Sequence, residues 1–438
     1  MSPTREQAIQ IWQAAVAAAD PFERVRAFVA DPEGPVQRTL ADGGGIFVFG
    51  GGKAGPAMAR AVEAALPEYL DRLLGLLNVP VGSYPPLERL HLWPARPAGS
   101  NQPTVEGVQG AEMQLNLAEL LHPEDLALCL FSGGGSALLP APVEGVSLAD
   151  KQAVTQLLHA CGATIEEMNC VRKHLSRYKG GRLGQLLASA GCPVVSLIVS
   201  DVIGDPLDVI ASGPTAPDST SFADALEVLA RYELTEKSPH SVIQHLRAGA
   251  AGQVEETPRT LPETVRNVIL CNNQGALRAA TTMAESLGYR VLNLGSYLKG
   301  ETRQVATVLA SIVHSIRREG LPMPAPICLL SGGETTVTLS LGHGKGGRNV
   351  EFALASLLEL RGVADVVVLS GGTDGEDGPT DAAGAVWDAG SFQRMGNLVP
   401  TEFLARHDAY HFFDATGDLL RTGLTGTNVM DVRVILVG

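Results

Sequence analysis

Short apolar runs alternate with segments of helical periodicity along most of this chain. Runs rich in valine, isoleucine and leucine predict buried strands, at 46–49, 73–79, 126–131, 194–200, 267–271, 290–294, 327–331, 335–341, 366–369 and 429–437, and the aromatic run 410–413 predicts one more. The segments between them predict helices, at about 4–30 (with a break at Asp20-Pro21), 105–121, 147–160, 164–176, 222–231, 239–248, 274–287, 301–318 and 348–361. Near-continuous apolar strands that alternate with helices are typical of an α/β fold, in which a parallel or mixed sheet carries helices on both faces.

The length of 438 residues is too great for one ordinary hydrophobic core, so we expect two domains. A polar, proline-bearing segment at 251–265 predicts a linker. Residues 1–250 would then form an N-terminal Rossmann-like α/β domain, and residues 266–438 a C-terminal α/β domain. Within the first of these, residues 80–104 are rich in proline and predict a loop.

Charge and composition narrow the function classes. The formal net charge is −14 and only 5% of the residues are aromatic, whereas a nucleic-acid binder shows a basic stripe and stacking side chains. The N-terminus lacks a basic region followed by an apolar stretch, and no run is as long as a membrane span, so we expect a cytoplasmic protein without a membrane partner. The six cysteines include no CxxC pair and the ten histidines no HExxH motif, which argues against a zinc site.

Glycine-rich turns follow several of the predicted strands. Residues 50–55 (GGGKAG) match GxGxxG between a strand and a helix, residues 342–347 (GHGKGG) match the same pattern, and Ser-Gly-Gly turns stand at 132–134, 331–333 and 370–372. A dinucleotide site would add an acid at the end of the next strand to hold the ribose, but the first match has Asn78 and Val79 there. Lys53 and Lys345 lie in these two loops instead, and a cation beside glycine-turn amides suits a phosphate or carboxylate. A Walker A sequence does not occur.

Acidic residues also follow predicted strands. After the strand 366–369 and its glycine turn come four carboxylates: Asp374, Glu376, Asp377 and Asp381. Only Asp374 directly follows the turn, so we expect the other three to shape the loop. Asp201 ends the strand 194–200, and Asp205 follows four residues later. Carboxylates at strand ends can hold a divalent metal or accept a proton, and a solvated turn is the simpler alternative.

Cationic residues gather on one predicted helix and at the start of another. Asn169, Arg172, Lys173 and Ser176 fall on one face of the helix 164–176, and Lys179 lies in the turn after it. A solvated face is the simpler alternative to an anion-binding patch. Arg348 begins the helix 348–361, where a guanidinium can bind a phosphoryl group bidentately.

Glycine turns, separated cations (Lys53, Arg172, Arg348) and separated acids (Asp201, Asp374) together indicate phosphoryl transfer. Such catalysis needs positioned phosphates, a metal, an acceptor for the hydroxyl proton and cations around the transferred group.

The sequence resembles the glycerate 2-kinases that carry a C-terminal MOFRL domain, some of which are called hydroxypyruvate reductases. The segments that carry this resemblance follow one another along nearly the whole chain: FGGGKAG (49–55), FSGGGSALLPAP (131–142), NCVRKHLSRYKGGRLG (169–184), VSDVIGDPLDVIASGPT (199–215), LLSGGETTVTL (329–339), GKGGRNVEFALA (344–355), SGGTDGEDGPTDAAGA (370–385) and TGTNVMD (425–431).

The resemblance implies transfer of a phosphoryl group from ATP, with Mg²⁺ or another divalent cation, to the 2-hydroxyl of D-glycerate, in a cleft between two α/β domains. The catalytic set that it implies is Lys53, Asp201 (or Asp205), Arg348 and Asp374, with metal ligands among Asp201, Asp205 and Asp374. The motifs also supply candidates for binding phosphate or substrate: Gly51, Gly52, Ser132, Gly133, Gly134, Ser136, Arg172, Lys173, Lys179, Gly332, Gly333, Glu334, Lys345, Asn349 and Thr373. The expected partners are therefore ATP and a small hydroxy acid; the oligomeric state is open, a homo-oligomer included.

One departure from the family pattern bears on the substrate. Many members have GHPxPD before the third helix, and this chain has Gly99-Ser100-Asn101-Gln102-Pro103-Thr104 there, so the preferred hydroxy acid could differ from glycerate. Two other functions stay open: an NAD(P)H-dependent hydroxypyruvate reductase, which the GxGxxG matches favour, and a non-catalytic sensor of sugar acids or nucleotides.

Overall fold

The computed structural model describes residues 2–97, 102–339 and 342–438, which form two compact units. The first unit is Pro21–Leu270, and the second unit comprises residues 2–20 together with Cys271–Gly438. The predicted α/β class is confirmed, because each unit has a sheet flanked by helices. Of the six residues that stand at the GHPxPD positions, Gly99, Ser100 and Asn101 lie outside the described ranges.

The strands of the described chain are β1 (Ile46–Gly51), β2 (Leu73–Pro80), β3 (Leu90–Arg96), β4 (Leu126–Phe131), β5 (Val194–Val199), β6 (Val265–Cys271), β7 (Arg290–Asn293), β8 (Ile327–Gly333), β9 (Val366–Gly372), β10 (Gly384–Trp387), β11 (Leu419–Leu420) and β12 (Asp431–Val437). The helices are α1 (Arg5–Ala18), α2 (Pro21–Ala30), α3 (Pro35–Ala41), α4 (Gly55–Ala65), α5 (Val105–Leu117), α6 (Gly135–Leu138), α7 (Leu148–Ala160), α8 (Ile165–His174), α9 (Arg182–Ala188), α10 (Phe222–Arg231), α11 (His240–Ala250), α12 (Asn273–Ser286), α13 (Thr302–Glu319), α14 (Arg348–Glu359), α15 (Ser391–Arg394), α16 (Pro400–Ala405) and α17 (Ala409–Thr416).

The sheet of the first unit has the strand order β3-β2-β1-β4-β5-β6. The pairs β2–β3, β1–β2, β1–β4 and β4–β5 are all parallel. The chain leaves β1 toward β2 on one side and returns to place β4 on the other, which is the order of a Rossmann sheet. In such sheets ligands bind at the carboxyl ends of the strands where the order reverses, here the ends of β1 and β4.

The sheet of the second unit is mixed, with the order β11-β10-β9-β12-β8-β7. β12 runs antiparallel between β8 and β9, and its register sets Asp431 beside both Gly333 and Gly372. The start of β12 therefore meets the carboxyl ends of β8 and β9. The apolar core of this unit includes side chains of α13 and α14 packed on the strands.

The units differ from the expected domain boundaries at three places. The N-terminal helix α1 packs on α12 of the second unit, and Trp12 Nε1 donates a hydrogen bond to Gly371 O at 3.2 Å. β6 is the sixth strand of the first sheet and does not open the C-terminal domain. The expected linker is bound to the first unit, since Glu255 O and Pro258 O accept hydrogen bonds from Arg182 Nη2 and Asp218 N.

Three local predictions were wrong. Residues 410–413 are helical within α17, because the buried aromatic pair Phe412 and Phe413 packs in the apolar core of the unit and Gly417 ends the helix with φ 70°. Residues 335–339 form only an isolated bridge at Thr336 in place of a strand, and 340–341 lie outside the described ranges. The expected proline-rich loop contains β3, which pairs with β2. None of the helices in the described ranges is both long and apolar enough to cross a membrane.

Candidate active site

Two glycine turns meet at the carboxyl ends of β1 and β4. Lys53 N donates a hydrogen bond to Gly133 O at 2.8 Å, and Ala54 N donates one to Ser132 Oγ at 3.0 Å. A β-carbon on Gly52 would overlap Ser132, so this close approach requires glycine. The turns thereby leave the side chain of Lys53 exposed at the sheet edge.

Asp201 stands beside this pair of turns. It follows the end of β5, and its Oδ2 lies so close to Gly133 that a β-carbon on that glycine would overlap it. Asp205 follows in the next turn with φ 55°, a left-handed conformation that non-glycine residues rarely adopt. The structure therefore brings Lys53, Gly133 and Asp201 together at the carboxyl edge of the first sheet.

A strained segment at 211–213 supplies a polar residue that the sequence did not single out. Ala211 and Ser212 have φ values of 51° and 61°, and Gly213 follows at 60°. Consecutive left-handed residues are held only where the surrounding structure enforces them, often at functional sites. Here they aim Ser212 Oγ at Ser136 Oγ (2.9 Å) and at Asn169 Oδ1 (3.0 Å).

Arg172 and Lys179 lie next to this pair of serines, and both interact electrostatically with Lys151, whose Nζ donates a hydrogen bond to Leu175 O at 2.9 Å. Gly180 N bonds to Ser212 O, which brings Lys179 alongside, and Arg172 lies one turn after Asn169 on α8. Lys179 Nζ is buried without a hydrogen-bond partner among the described residues. Burial and the charges of Arg172 and Lys151 hold the pKa of Lys179 well below its usual value. Burial, together with Arg172, lowers the pKa of Lys151 to about 7.

Lys173 is committed elsewhere. Its Nζ pairs with Asp208 Oδ2 at 3.0 Å and with the fully buried Asp218 Oδ1 at 3.3 Å. Lys173 therefore forms ion pairs with two acids of its own unit. Arg172, the other predicted anion-binding cation of α8, makes no ion pair with the described residues.

The second unit has its own polar cluster, built around Asp431. Arg348 Nε donates to Asp431 Oδ2 at 2.7 Å, and Arg348 Nη1 donates to Glu334 Oε1 at 2.7 Å. Arg433, itself fully buried, adds a bond to Asp431 Oδ2 at 3.1 Å. Burial alone would lower the pKa of Arg348, but Asp431 and Glu334 raise it above its usual value. Arg348 is thus charged and fixed at the start of α14.

Asp377 also stabilises the start of α14. Its carboxylate accepts hydrogen bonds from the backbone amides of Asn349 and Val350, at 3.0 and 2.8 Å. Asn349 also donates to Asp431 Oδ1 at 2.9 Å and accepts from Ser370 Oγ at 2.6 Å. Asn349 and Asp377 therefore orient the helix that carries Arg348.

The remaining candidates of the second unit fall into different surroundings. Asp374 Oδ1 accepts a hydrogen bond from Glu376 N at 3.2 Å at the end of β9. Thr373 Oγ1 is buried and donates to Met430 O at 2.7 Å, which makes it part of the backbone support. Lys345 Nζ lies 4.0 Å from the centre of the Tyr410 ring, a cation–π contact.

Gly332 and Gly333 end β8 under tight packing. A β-carbon on Gly332 would overlap Asn273 Oδ1, and one on Gly333 would overlap the backbone of Leu298.

Within the described ranges, no group of three His, Cys, Asp or Glu side chains could hold a metal ion. Mg²⁺ commonly takes only one or two carboxylates and completes its shell with water and phosphate oxygens. Asp201 has the donor chemistry for that arrangement in the first unit, and Asp374 has it in the second.

Sequence reasoning missed three residues that the structure brings to these clusters. Arg96, whose Nη2 lies 3.0 Å from the point where a β-carbon on Gly134 would stand, carried no sequence signal, because it is a single cation inside a segment predicted to be a loop. Ser212 is a polar residue in a left-handed backbone, which composition does not reveal. Asp431 lay in the motif TGTNVMD, but only the strand register brings it to Arg348.

These features define a class: an α/β protein with glycine turns at the switch point of a Rossmann-order sheet and clustered cations beside them. Residues 7–247 match the family described as "Domain of unknown function (DUF4147)", and residues 327–431 match the "MOFRL family". The first match spans more than half of the chain. The chain therefore belongs to the DUF4147 family and carries a MOFRL domain.

Named relatives match along more than nine-tenths of their lengths. "Glycerate 2-kinase" of Pyrococcus horikoshii is 36% identical over 99% of this chain and 97% of its own. A protein of Agrobacterium vitis with the provisional name of a hydroxypyruvate reductase is 41% identical over 98% of this chain and 93% of its own. The crystal structure of a glycerate kinase from Thermotoga maritima has a TM-score of 0.87 and 34% sequence identity, and covers 99% of each chain.

Proposed function

We propose that this protein is a kinase that transfers the γ-phosphoryl group of ATP to the 2-hydroxyl of D-glycerate and releases ADP and 2-phosphoglycerate. The observation that carries this proposal is full-length similarity to proteins named glycerate kinase, including a solved structure at 34% identity. The clusters described above are consistent with it, since phosphoryl transfer depends on positioned phosphates and on cations around the transferred group.

The first unit would bind phosphate oxygens. Lys53 is exposed beside two glycine turns, and Lys179 has a buried ammonium group without a partner among the described residues. Arg172 lies close enough to Lys179 to lower its pKa. Lys151, Arg172 and Lys179 repel one another in the absence of ligand, and a polyphosphate bound beside them would relieve that repulsion.

Two carboxylates, Asp201 and Asp374, are candidates for two roles, proton acceptor and metal ligand. Asp201 and Asp374 each follow a strand end, and each can accept the proton of the attacking hydroxyl or hold Mg²⁺. Bound Mg²⁺ would neutralise charge on the phosphates. Arg348, fixed by Asp431, would stabilise negative charge on the transferred group.

The reductase alternative finds weak support in the first sheet. A dinucleotide site needs an acid near the end of β2 to bind the ribose. Asn78 occupies that end, is buried, and donates to Gly107 O and Leu138 O at 3.0 and 2.7 Å. Its amide is therefore already used within the fold.

One pair of assays decides between the two activities. Purified protein with ATP, Mg²⁺ and D-glycerate should form ADP, and ³¹P NMR should show 2-phosphoglycerate. The same protein with NADH and hydroxypyruvate should leave the NADH unoxidised. Oxidation of NADH without ADP formation in the first assay would refute the kinase. Asp201→Asn and Asp374→Asn, each titrated with Mn²⁺, separate the two carboxylates: the variant that loses metal binding has lost the metal ligand.

A further inference from the structure

Arg96 is a buried cation at the carboxyl end of an edge strand. It is the last residue of β3, which pairs in parallel with β2, and its side chain is 2% exposed. Its backbone oxygen accepts a hydrogen bond from Val81 N at 2.7 Å, which fixes the strand end. Burial lowers the pKa of Arg96, and a guanidinium nevertheless stays protonated in proteins.

One edge of this guanidinium is unsatisfied. Nη1 donates to Pro97 O at 3.3 Å, whereas Nε and Nη2 have no hydrogen-bond partner among the described residues. Nε and Nη2 form the side-on fork that binds a carboxylate with two parallel hydrogen bonds. A buried charge without a counter-ion is unfavourable, so an anion that filled this fork would stabilise the folded chain.

The fork faces the glycine turn after β4. Arg96 Nη2 lies 3.0 Å from the point where a β-carbon on Gly134 would stand, and Lys53 Cγ lies 3.5 Å from the same point. Gly134 has φ 81°, so glycine is favoured there for its backbone as well as for this space. The Arg96 fork, the uncovered turn and the stem of Lys53 therefore converge.

We propose that Arg96 binds the carboxylate of the hydroxy acid substrate. The inference rests on the proposed kinase function and adds the residue that recognises the acid. A planar fork with two free donors matches a planar carboxylate, whereas Lys151, Arg172 and Lys179 form a separate group with the charge that a polyphosphate needs. Arg96 would orient the acid so that its neighbouring hydroxyl is presented for phosphorylation.

The test measures the two substrates separately in the full-length protein. Arg96→Met should raise the KM for D-glycerate by about 10- to 100-fold, the value expected for loss of hydrogen bonds to a charged group, and leave the KM for ATP within about twofold. Arg96→Lys, which keeps the charge and loses the fork, should fall between Arg96→Met and the wild type. Arg89→Met removes an exposed arginine of the segment before β3 and should change neither value.

Two further measurements separate recognition from a structural role. Wild type should prefer D-glycerate to the uncharged D-glyceramide, and Arg96→Met should reduce this preference in kcat/KM by at least about tenfold. The thermal midpoint of Arg96→Met should equal or exceed that of the wild type, because the variant removes a buried charge without a partner. A lowered midpoint, or a KM effect on ATP in place of D-glycerate, would overturn the proposal.

Failure of this inference can be told from failure of the kinase proposal. D-glycerate alone, without ATP, should raise the thermal midpoint of the wild type and not that of Arg96→Met. Equal protection of the two proteins would refute the role of Arg96 even if ADP is formed. Protection of the wild type alone would support Arg96 as the carboxylate-binding residue even if the transferred group came from another donor.

Discussion

The start of α14 sits on a buried carboxylate, which should make the stability of the second unit depend on pH. Asp377 is 2% exposed and accepts hydrogen bonds from two backbone amides of α14. Burial raises the pKa of Asp377 to about 7; the two amides oppose this shift and the neighbouring Asp431 adds to it. In the unfolded chain the same carboxyl has an ordinary pKa of about 3.9.

The sign and size follow from proton linkage. Between about pH 4 and pH 7 the folded protein holds a proton that the unfolded chain has released, so stability falls as the pH rises through this window. A difference of about three pKa units corresponds to about 4 kcal/mol. About two of those units lie between pH 5 and pH 8, which corresponds to about 3 kcal/mol. For a unit of this size, that is a change of about 6–12 °C in the unfolding midpoint.

Asp377→Asn supplies the comparison, because asparagine has nearly the same shape and does not ionise. Scanning calorimetry at pH 5 and pH 8 should show the wild-type midpoint falling by about 6–12 °C relative to the variant. Asp381→Asn is the matched control in the same loop: hydrogen bonding to Tyr410 lowers the pKa of Asp381, so both states are ionised throughout this range. Wild-type and Asp377→Asn midpoints that stay parallel would refute the argument from burial.

Three further predictions concern the cations of the first unit. Lys53→Ala should lower kcat by more than about tenfold with an unchanged thermal midpoint, because the lysine side chain is exposed; near-normal turnover would contradict its role. Lys173→Met should reduce the free energy of unfolding by about 3 kcal/mol, since it leaves the buried Asp218 without its cation, and should leave the KM for ATP unchanged. A raised KM would instead make Lys173 a ligand. ATP binding at pH 8 should take up protons, because phosphate restores the charge on Lys151 and Lys179, whose pKa values are lowered; calorimetry in two buffers of different ionisation enthalpy measures the uptake, and a proton-neutral binding reaction would argue against the cluster.

Much of the fold could be predicted because the central strands are recognisable from short stretches of sequence. β4, β5 and β9 are continuous apolar runs buried on both faces, which is the pattern of central strands in α/β sheets. The errors have non-local causes. The aromatic run in α17 has strand propensity, but packing in the core made it a helix. The polar segment before β6 was expected to be a linker, and hydrogen bonds to residues far away in sequence hold it to the first unit.

The candidate site residues also fall into those that local sequence identifies and those that depend on tertiary contacts. Lys53 and Asp374 could be singled out because each follows a strand and a glycine turn within a few residues. Arg348 could be predicted as a cation at a helix start. Its partner Asp431 lies 83 positions farther along the chain, and only the pairing of β12 with β8 and β9 brings the two side chains together. Arg96 becomes a candidate only when its distance from Gly134 and its unsatisfied edge are known. Local sequence carries the turns, and tertiary contacts decide which polar side chains are left over to bind ligand.

The chain is acidic overall, but it can still bind an anionic substrate, because the cations with unused hydrogen-bond donors are buried at the carboxyl side of the first sheet. At the surface, arginines such as Arg231 and Arg421 pair with two acids each, and their charge is already compensated. Arg96 and Lys179 are buried at the carboxyl side of the first sheet with donors unused by the described residues. A desolvated cation interacts far more strongly with a bound anion than an exposed one does, because water no longer screens it. A few such groups therefore decide which ligand binds, while the net charge of −14 acts at long range, where salt screens it.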